Sequence, residues 1–153
     1  VLNKEMPNTK LVIVGRGHLK RRLMRLAKSL GVGEDVTIES SLSFAELAQL
    51  YRSSDLVVYP SFYEGQGLIP LEAMASGVPV VTVDHGPLPE MVDESVGALF
   101  TMGNIESMVS VMKEVLKAGR KKGEKGRARV LQKFTYSGNA ESFENIYLEA
   151  INR

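Results

Sequence analysis

The sequence predicts an α/β domain, a mostly parallel sheet covered by helices on both faces. Short β-rich runs recur along the chain, each bounded by Gly, Pro or Asp. Helical patterns fill the intervals, and strands that alternate with helices pair in parallel. The 153 residues, 44% of them hydrophobic, suffice for one ordinary core.

The elements follow in order. "VLNKEMPN" reads as a helix end followed by a turn at Pro7-Asn8, as if the architecture began before Val1. "KLVIVG" (10–15) is the first strand. Leu19, Leu23, Leu26, Ala27 and Leu30 then form one apolar stripe that stops before Gly31. "DVTIES" (35–40) is the second strand. Ser43 with Glu46 is a capping box, opening a helix whose expected buried face is Phe44, Leu47, Ala48 and Tyr51. "DLVVYP" (55–60) is the third strand, and "LIPLEAMAS" is the helix after it. Pro70 suits that helix's first turn and Gly77 the position just past its end. "PVVTVD" (79–84) and "GALF" (97–100) complete the strands.

The rest is helical. Ile105, Met108, Val109, Met112, Val115 and Leu116 hold helical spacing and read as core. "GRKKGEKGRARVLQK" (119–133) carries seven basic residues and one acid. Its plainest reading is a solvated helix surface interrupted by Gly123 and Gly126. Attraction to anionic lipid head groups, a peripheral contact at the inner membrane face, is the other. Without interleaved aromatics it is no nucleic-acid site. Phe143, Ile146, Tyr147, Ala150 and Ile151 mark a final amphipathic helix, with Phe143, Tyr147 and Ile151 expected to dock partly outside the core. With no repeat and no low-complexity linker, residues 1–153 are expected to form one domain.

Composition excludes several chemistries. A formal charge of +1 identifies no polyanionic partner. The absence of cysteine removes disulfides, thiolate metal sites and a cysteine nucleophile. His18 and His85 lack metal-ligand spacing, so no metal is expected; the first reads as a helix-start residue and the second as a polar turn residue. No apolar run approaches the ~18 residues of a membrane span, and no signal peptide opens the chain. A cytoplasmic domain is the default expectation.

The chemistry concentrates in "PSFYEGQGLIPLEAMASG" (60–77). In an open α/β sheet, ligands bind outside the carboxyl ends of the strands, and this loop follows one. Gly65, Gly67 and the amides near Leu68 and Ile69 stand at a helix N-terminus, which attracts anions. Glu72 lies about one turn inside, its carboxylate able to accept both hydroxyls of a vicinal diol such as ribose. Glu64, in the loop, can accept hydroxyls from whatever the anion carries. The competing reading makes Glu72 a helix-end charge worth about 0.3–1 kcal/mol and Glu64 a solvated loop acid.

The block "PSFYEGQGLIPLEAMASGVPVVTVDHGPLPEMV" resembles the signature of the group 1 retaining glycosyltransferases of the GT-B fold. Their hallmark is a Glu, seven residues, then Glu, the spacing of Glu64 and Glu72. "LVIVGRGHLKRRLMRLAKSLGV", "AELAQLYRSSDLVVYPS" and "FTYSGNAESFENIYLEAI" extend the resemblance over nearly the whole chain. It implies the C-terminal, Rossmann-like half of such an enzyme, which binds a nucleotide diphosphate sugar as substrate and needs no cofactor. By that resemblance Glu64 contacts the donor sugar as the catalytic residue. The backbone of Gly65, Gln66, Gly67 and Leu68 meets sugar and diphosphate, and Glu72 holds the ribose. Glu39, Ser40 and Ser41 face the base, while Gly15 and Gly17 line the phosphate side.

The family's first strand of this domain, carrying an Arg and a Lys for the diphosphate, is expected before residue 1. Arg16 and Arg21 have a similar spacing but follow the wrong strand. The acceptor-binding N-terminal domain, whether a missing domain or a partner subunit, is expected elsewhere too, leaving these residues inactive alone. Two rival readings remain. "VIVGRGHLK" is similar to the dinucleotide fingerprint of an NAD-binding oxidoreductase, with Lys20 where Gly or Ala belongs. The other is a non-catalytic nucleotide-binding or assembly module.

Overall fold

The structure is a computed structural model that describes residues 1–152. Two compact units divide it, Val1–Ala48 and Gln49–Arg153. Every strand pairing is parallel, as expected: two strands pair in the first unit and three in the second.

The first unit contains α1 (Leu2–Glu5), β1 (Leu11–Val14), α2 (Lys20–Ser29), a 3-10 turn at Gly33–Asp35 and β2 (Val36–Glu39). β1 and β2 pair from Leu11 opposite Val36 to Val14 opposite Glu39. Lys10 Nζ and Asn3 Nδ2 donate to Asp35 at 2.6 and 3.1 Å, tying the N-terminal turn to the start of β2. The Lys10 hydrogen bond is the main reason the Asp35 carboxyl lies below its usual range. Only Ala27 is buried within this unit's α2, and Leu23, Leu26 and Leu30 stay exposed.

Helix α3 (Phe44–Ser53) starts as the capping box requires. Glu46 Oε2 accepts from Ser43 N at 2.7 Å and from Ser43 Oγ at 2.6 Å, while Glu46 N donates back to Ser43 Oγ at 3.3 Å. One expectation fails: Phe44 is 90% exposed. As the first helical residue its side chain leans back past the helix end. Leu47, Ala48 and Tyr51 are half-buried.

The second unit holds β3 (Val57–Tyr59), α4 (Leu68–Ala75), β4 (Val80–Val83), α5 (Leu88–Met91), β5 (Gly97–Phe100), α6 (Ile105–Ala118), α7 (Lys121–Lys133) and α8 (Tyr136–Ile151). β4 lies between β3 and β5, with Val80 opposite both Val57 and Gly97. All four β4 residues are buried although successive side chains point to opposite faces, so both faces of the sheet are covered. The core gathers Ala73, Met74, Val81, Leu88, Val96 and Val115 around it.

Helix α4 ends as its glycine indicated. Gly77, at φ +77°, donates to Met74 O, and Val78 N donates to Ala73 O, a Schellman closure.

Helix α7 corrects the reading of Gly123 and Gly126 as interruptions. It runs unbroken, with both glycines buried against α4 and its end. Four cations of the basic stretch bond backbone carbonyls, Arg120 and Arg127 while exposed, Lys122 and Arg129 while half-buried. Arg120, Arg127 and Arg129 donate to the carbonyls of Arg52, Ala75 and Met91, at or near the ends of α3, α4 and α5. Carbonyls at helix C-termini have no intrahelical partner, so cations satisfy them well. Lys122 Nζ bonds the carbonyls of Glu94 and Gly97. Phe143, Tyr147 and Ile151 on α8 are 59%, 65% and 79% exposed, so none is core.

Candidate functional site

Strand β3 ends at Tyr59, and residues 60–67 loop from its carboxyl end into α4. Thr82, fully buried on β4, donates to Tyr59 O at 2.8 Å and fixes the point where this loop departs. Gly67 is the residue before α4 and takes φ +83°, which L side chains rarely adopt. It is buried, and a Cβ there would lie 2.8 Å from Leu88 Cδ2 and 3.0 Å from Met91 Cε. Gly67 is thus needed for the turn and for packing on α5. Gly65 has open space around it, as close approach by a ligand requires.

No side chain caps α4. Pro70 has no N–H to leave unpaired, and Leu68 and Ile69 are exposed. Uncapped amides and the helix dipole favour a negative group at this end. Both glutamates flank it in sequence, and each is held by a tyrosine. Tyr51 Oη donates to Glu72 Oε2 at 3.0 Å, and Tyr59 Oη donates to Glu64 Oε1. Burial first, then the Glu72 charge, pushes the Tyr51 phenol far above its ordinary value. Burial and the bond to Glu64 raise Tyr59 as well. Both phenols therefore remain protonated donors at neutral pH. Glu64 is half-buried and Glu72 exposed, and each tyrosine bonds one oxygen of its carboxylate.

The sequence reading missed these tyrosines in this role. It placed Tyr51 on a buried helix face and Tyr59 at a strand end. The usable signal was that a buried phenol needs a partner for its hydroxyl.

The other site residues expected from sequence lie in the first unit. Gly15 N donates to Glu39 O at 2.9 Å, where β1 and β2 end. Arg16 bonds Ser40 O at 2.6 Å and Ser41 Oγ at 2.8 Å, and Lys20 bonds Ser40 Oγ at 3.0 Å and Ile38 O at 3.1 Å. Gly15, Glu39, Ser40 and Ser41 are thus gathered at one end of the two-stranded sheet. Gly17 lies in the exposed turn before α2. Glu64, Gly65, Gln66, Gly67, Leu68 and Glu72 are gathered in the second unit. His85 is exposed in the loop between β4 and α5.

A family described as glycosyl transferases group 1 matches residues 1–130. This chain belongs to the group 1 glycosyl transferases. Over 134 residues it is 35% identical to the MMP α-(1→4)-mannosyltransferase of Mycolicibacterium hassiacum, an alignment covering 84% of this chain and 33% of that protein. The chain spans about a third of the length of that relative. The C-terminal domain of the group 1 glycosyl transferase LpcC from Francisella tularensis superposes with a TM-score of 0.78 at 26% identity, over 88% of this chain and 74% of that one. A TarM variant from S. aureus, solved with Fondaparinux, α-GlcNAc-glycerol and UDP, gives 0.83 at 25% identity, over 95% and 30%. This group 1 glycosyl transferase domain is the C-terminal, Rossmann-like half of a GT-B fold. Among the described residues no helix is long and apolar enough to cross a membrane.

Proposed function

We propose that this chain is the donor-binding domain of a retaining glycosyltransferase, moving a sugar from a nucleotide diphosphate sugar to an acceptor. The observation that carries this reading is the start of α4, an uncapped helix end with two tyrosine-held carboxylates around it in the chain. A diphosphate is the group such an end favours. A vicinal diol suits a carboxylate with acceptor sites to spare, so Glu72 takes the ribose and Glu64 the donor sugar. Gly65 lets the diphosphate reach the 65–68 backbone. The UDP bound in the TarM variant supports a nucleoside diphosphate, and the mannosyltransferase relative supports sugar transfer.

The test is titration of UDP, GDP and ADP into the chain, followed by amide NMR shifts. One nucleotide is expected to bind weakly, shifting the amides from 65 to 72, with no sugar transfer by residues 1–153 alone. Glu72→Ala is expected to abolish those shifts. Shifts confined to 119–133, or indifferent to Glu72→Ala, would overturn the reading.

A further inference from the structure

Tyr51 and Tyr59 are eight residues apart, as are Glu64 and Glu72. The pairs are nested: the outer, helical Tyr51 bonds the outer, helical Glu72, and the inner, strand-end Tyr59 bonds the inner, loop Glu64. Both tyrosines are half-buried, so each bond satisfies a phenol hydroxyl, and Glu72 itself is at the surface. What the bond does change is the glutamate. An exposed glutamate samples many rotamers, and an interaction with a ligand must first overcome that freedom. A phenol donating to one oxygen removes it and aims the other. An ionised carboxylate offers about four lone-pair sites, so one tyrosine donor leaves enough for two sugar hydroxyls.

We infer that Tyr51 and Tyr59 are positioning residues, Tyr51 presetting Glu72 for the ribose diol and Tyr59 presetting Glu64 for the donor sugar. This rests on the donor-binding reading above and adds a determinant of ribose selectivity to it. Tyr51 lies on the part of α3 that belongs to the second unit and Glu72 on α4, so the preference for a ribonucleotide depends on how these two segments are held against each other within that unit. The phenols stay protonated well beyond neutral pH, so the donors are present under working conditions.

The experiment compares UDP with 2′-deoxy-UDP, or the GDP pair if GDP is the nucleotide that binds. The proteins are the wild type, Tyr51→Phe, Tyr59→Phe, Glu72→Gln and the Tyr51→Phe/Glu72→Gln double variant. Tyr51→Phe is expected to weaken the ribonucleotide about three- to tenfold, the range for losing one hydrogen bond. It should weaken the deoxy form less, so the preference between the two narrows. A purely structural role would weaken both alike. Tyr59→Phe should leave the preference unchanged, and a narrowing as large as that of Tyr51→Phe would overturn the separate assignment of the two tyrosines. The double variant should bind no worse than Glu72→Gln alone, because Tyr51 acts through Glu72. Melting temperatures identify a variant that fails to fold, and the double-variant comparison is made against Glu72→Gln at matched folded fraction. A wild type with no preference for the ribonucleotide overturns the assignment of Glu72 to ribose. A wild-type preference that Tyr51→Phe leaves intact overturns the positioning role alone.

Discussion

Replacing Gly123 by alanine tests how α4 is held. On a solvent-facing helix position this change stabilises by about 1 kcal/mol, because alanine is the better helix former. At Gly123 the sign reverses. The added Cβ would lie 2.0 Å from Gly77 O, 2.6 Å from Gly77 C and 3.1 Å from Val78 Cα. Ordinary carbon–oxygen contacts are about 3.3 Å or longer, so α7 must retreat by about 1 Å. All three atoms are backbone, and no side chain can rotate away. Overpacking costs about 1–3 kcal/mol, and a backbone clash belongs at the upper end. After the helix-propensity gain, about 2 kcal/mol of destabilisation remains. For a chain of this size that lowers the melting temperature by about 4–8 °C. Gly126 is the internal control: its Cβ would meet Met74 Cγ at 3.1 Å and Cβ at 3.3 Å, an approach relieved by a shift of a few tenths of an ångström. Gly126→Ala should stay within about 1 kcal/mol of the wild type. Thermal and urea melts followed by circular dichroism measure both. A Gly123→Ala protein as stable as the wild type, or a Gly126→Ala protein less stable than Gly123→Ala, would refute the contact argument.

Gly67→Ala should cost about 1–3 kcal/mol in urea denaturation, mainly because alanine is strained at φ +83°. In a Leu88→Ala background, which removes the nearer crowding contact, Gly67→Ala should still cost most of this, and a cost that vanishes there would show that φ was irrelevant. Asp93 predicts a pH dependence. Ser95, through its hydroxyl at 2.7 Å and amide at 2.9 Å, and then Arg129 at 2.7 Å, hold the Asp93 carboxyl down to about 2. A depressed carboxyl contributes stability that is complete above its unfolded value of about 3.9 and disappears as pH falls through the folded one. Asp93→Asn should therefore be less stable than the wild type from pH 7 down to about 5, and the deficit should close between about pH 4 and 2. The side chain is 54% exposed, so the deficit should be modest and smaller in high salt. A deficit that is undiminished at pH 2 would contradict this account.

What the sequence by itself determined is local. The five strands, the Ser43–Glu46 capping box and the Pro70 and Gly77 positions of α4 were legible because each is decided by residues within a few positions of one another. The placement of Glu64 in the strand-to-helix loop and of Glu72 in the helix after it was legible as well. What only the tertiary structure decided is which residues meet. That Phe44 faces solvent, that β4 lies between β3 and β5, and that Gly123 meets Gly77 all depend on where separate segments come to lie. The basic stretch shows the same limit: its cations are mostly exposed, as composition indicates, yet Arg127 and Arg129 also reach carbonyls 52 and 38 residues away, which composition does not indicate. Tyr51 and Glu72 are 21 residues apart, and their hydrogen bond exists only because α3 and α4 are brought together. Periodicity records which side of an element is apolar. It carries no information about the partner across the gap, because that partner is chosen by the packing of the whole unit.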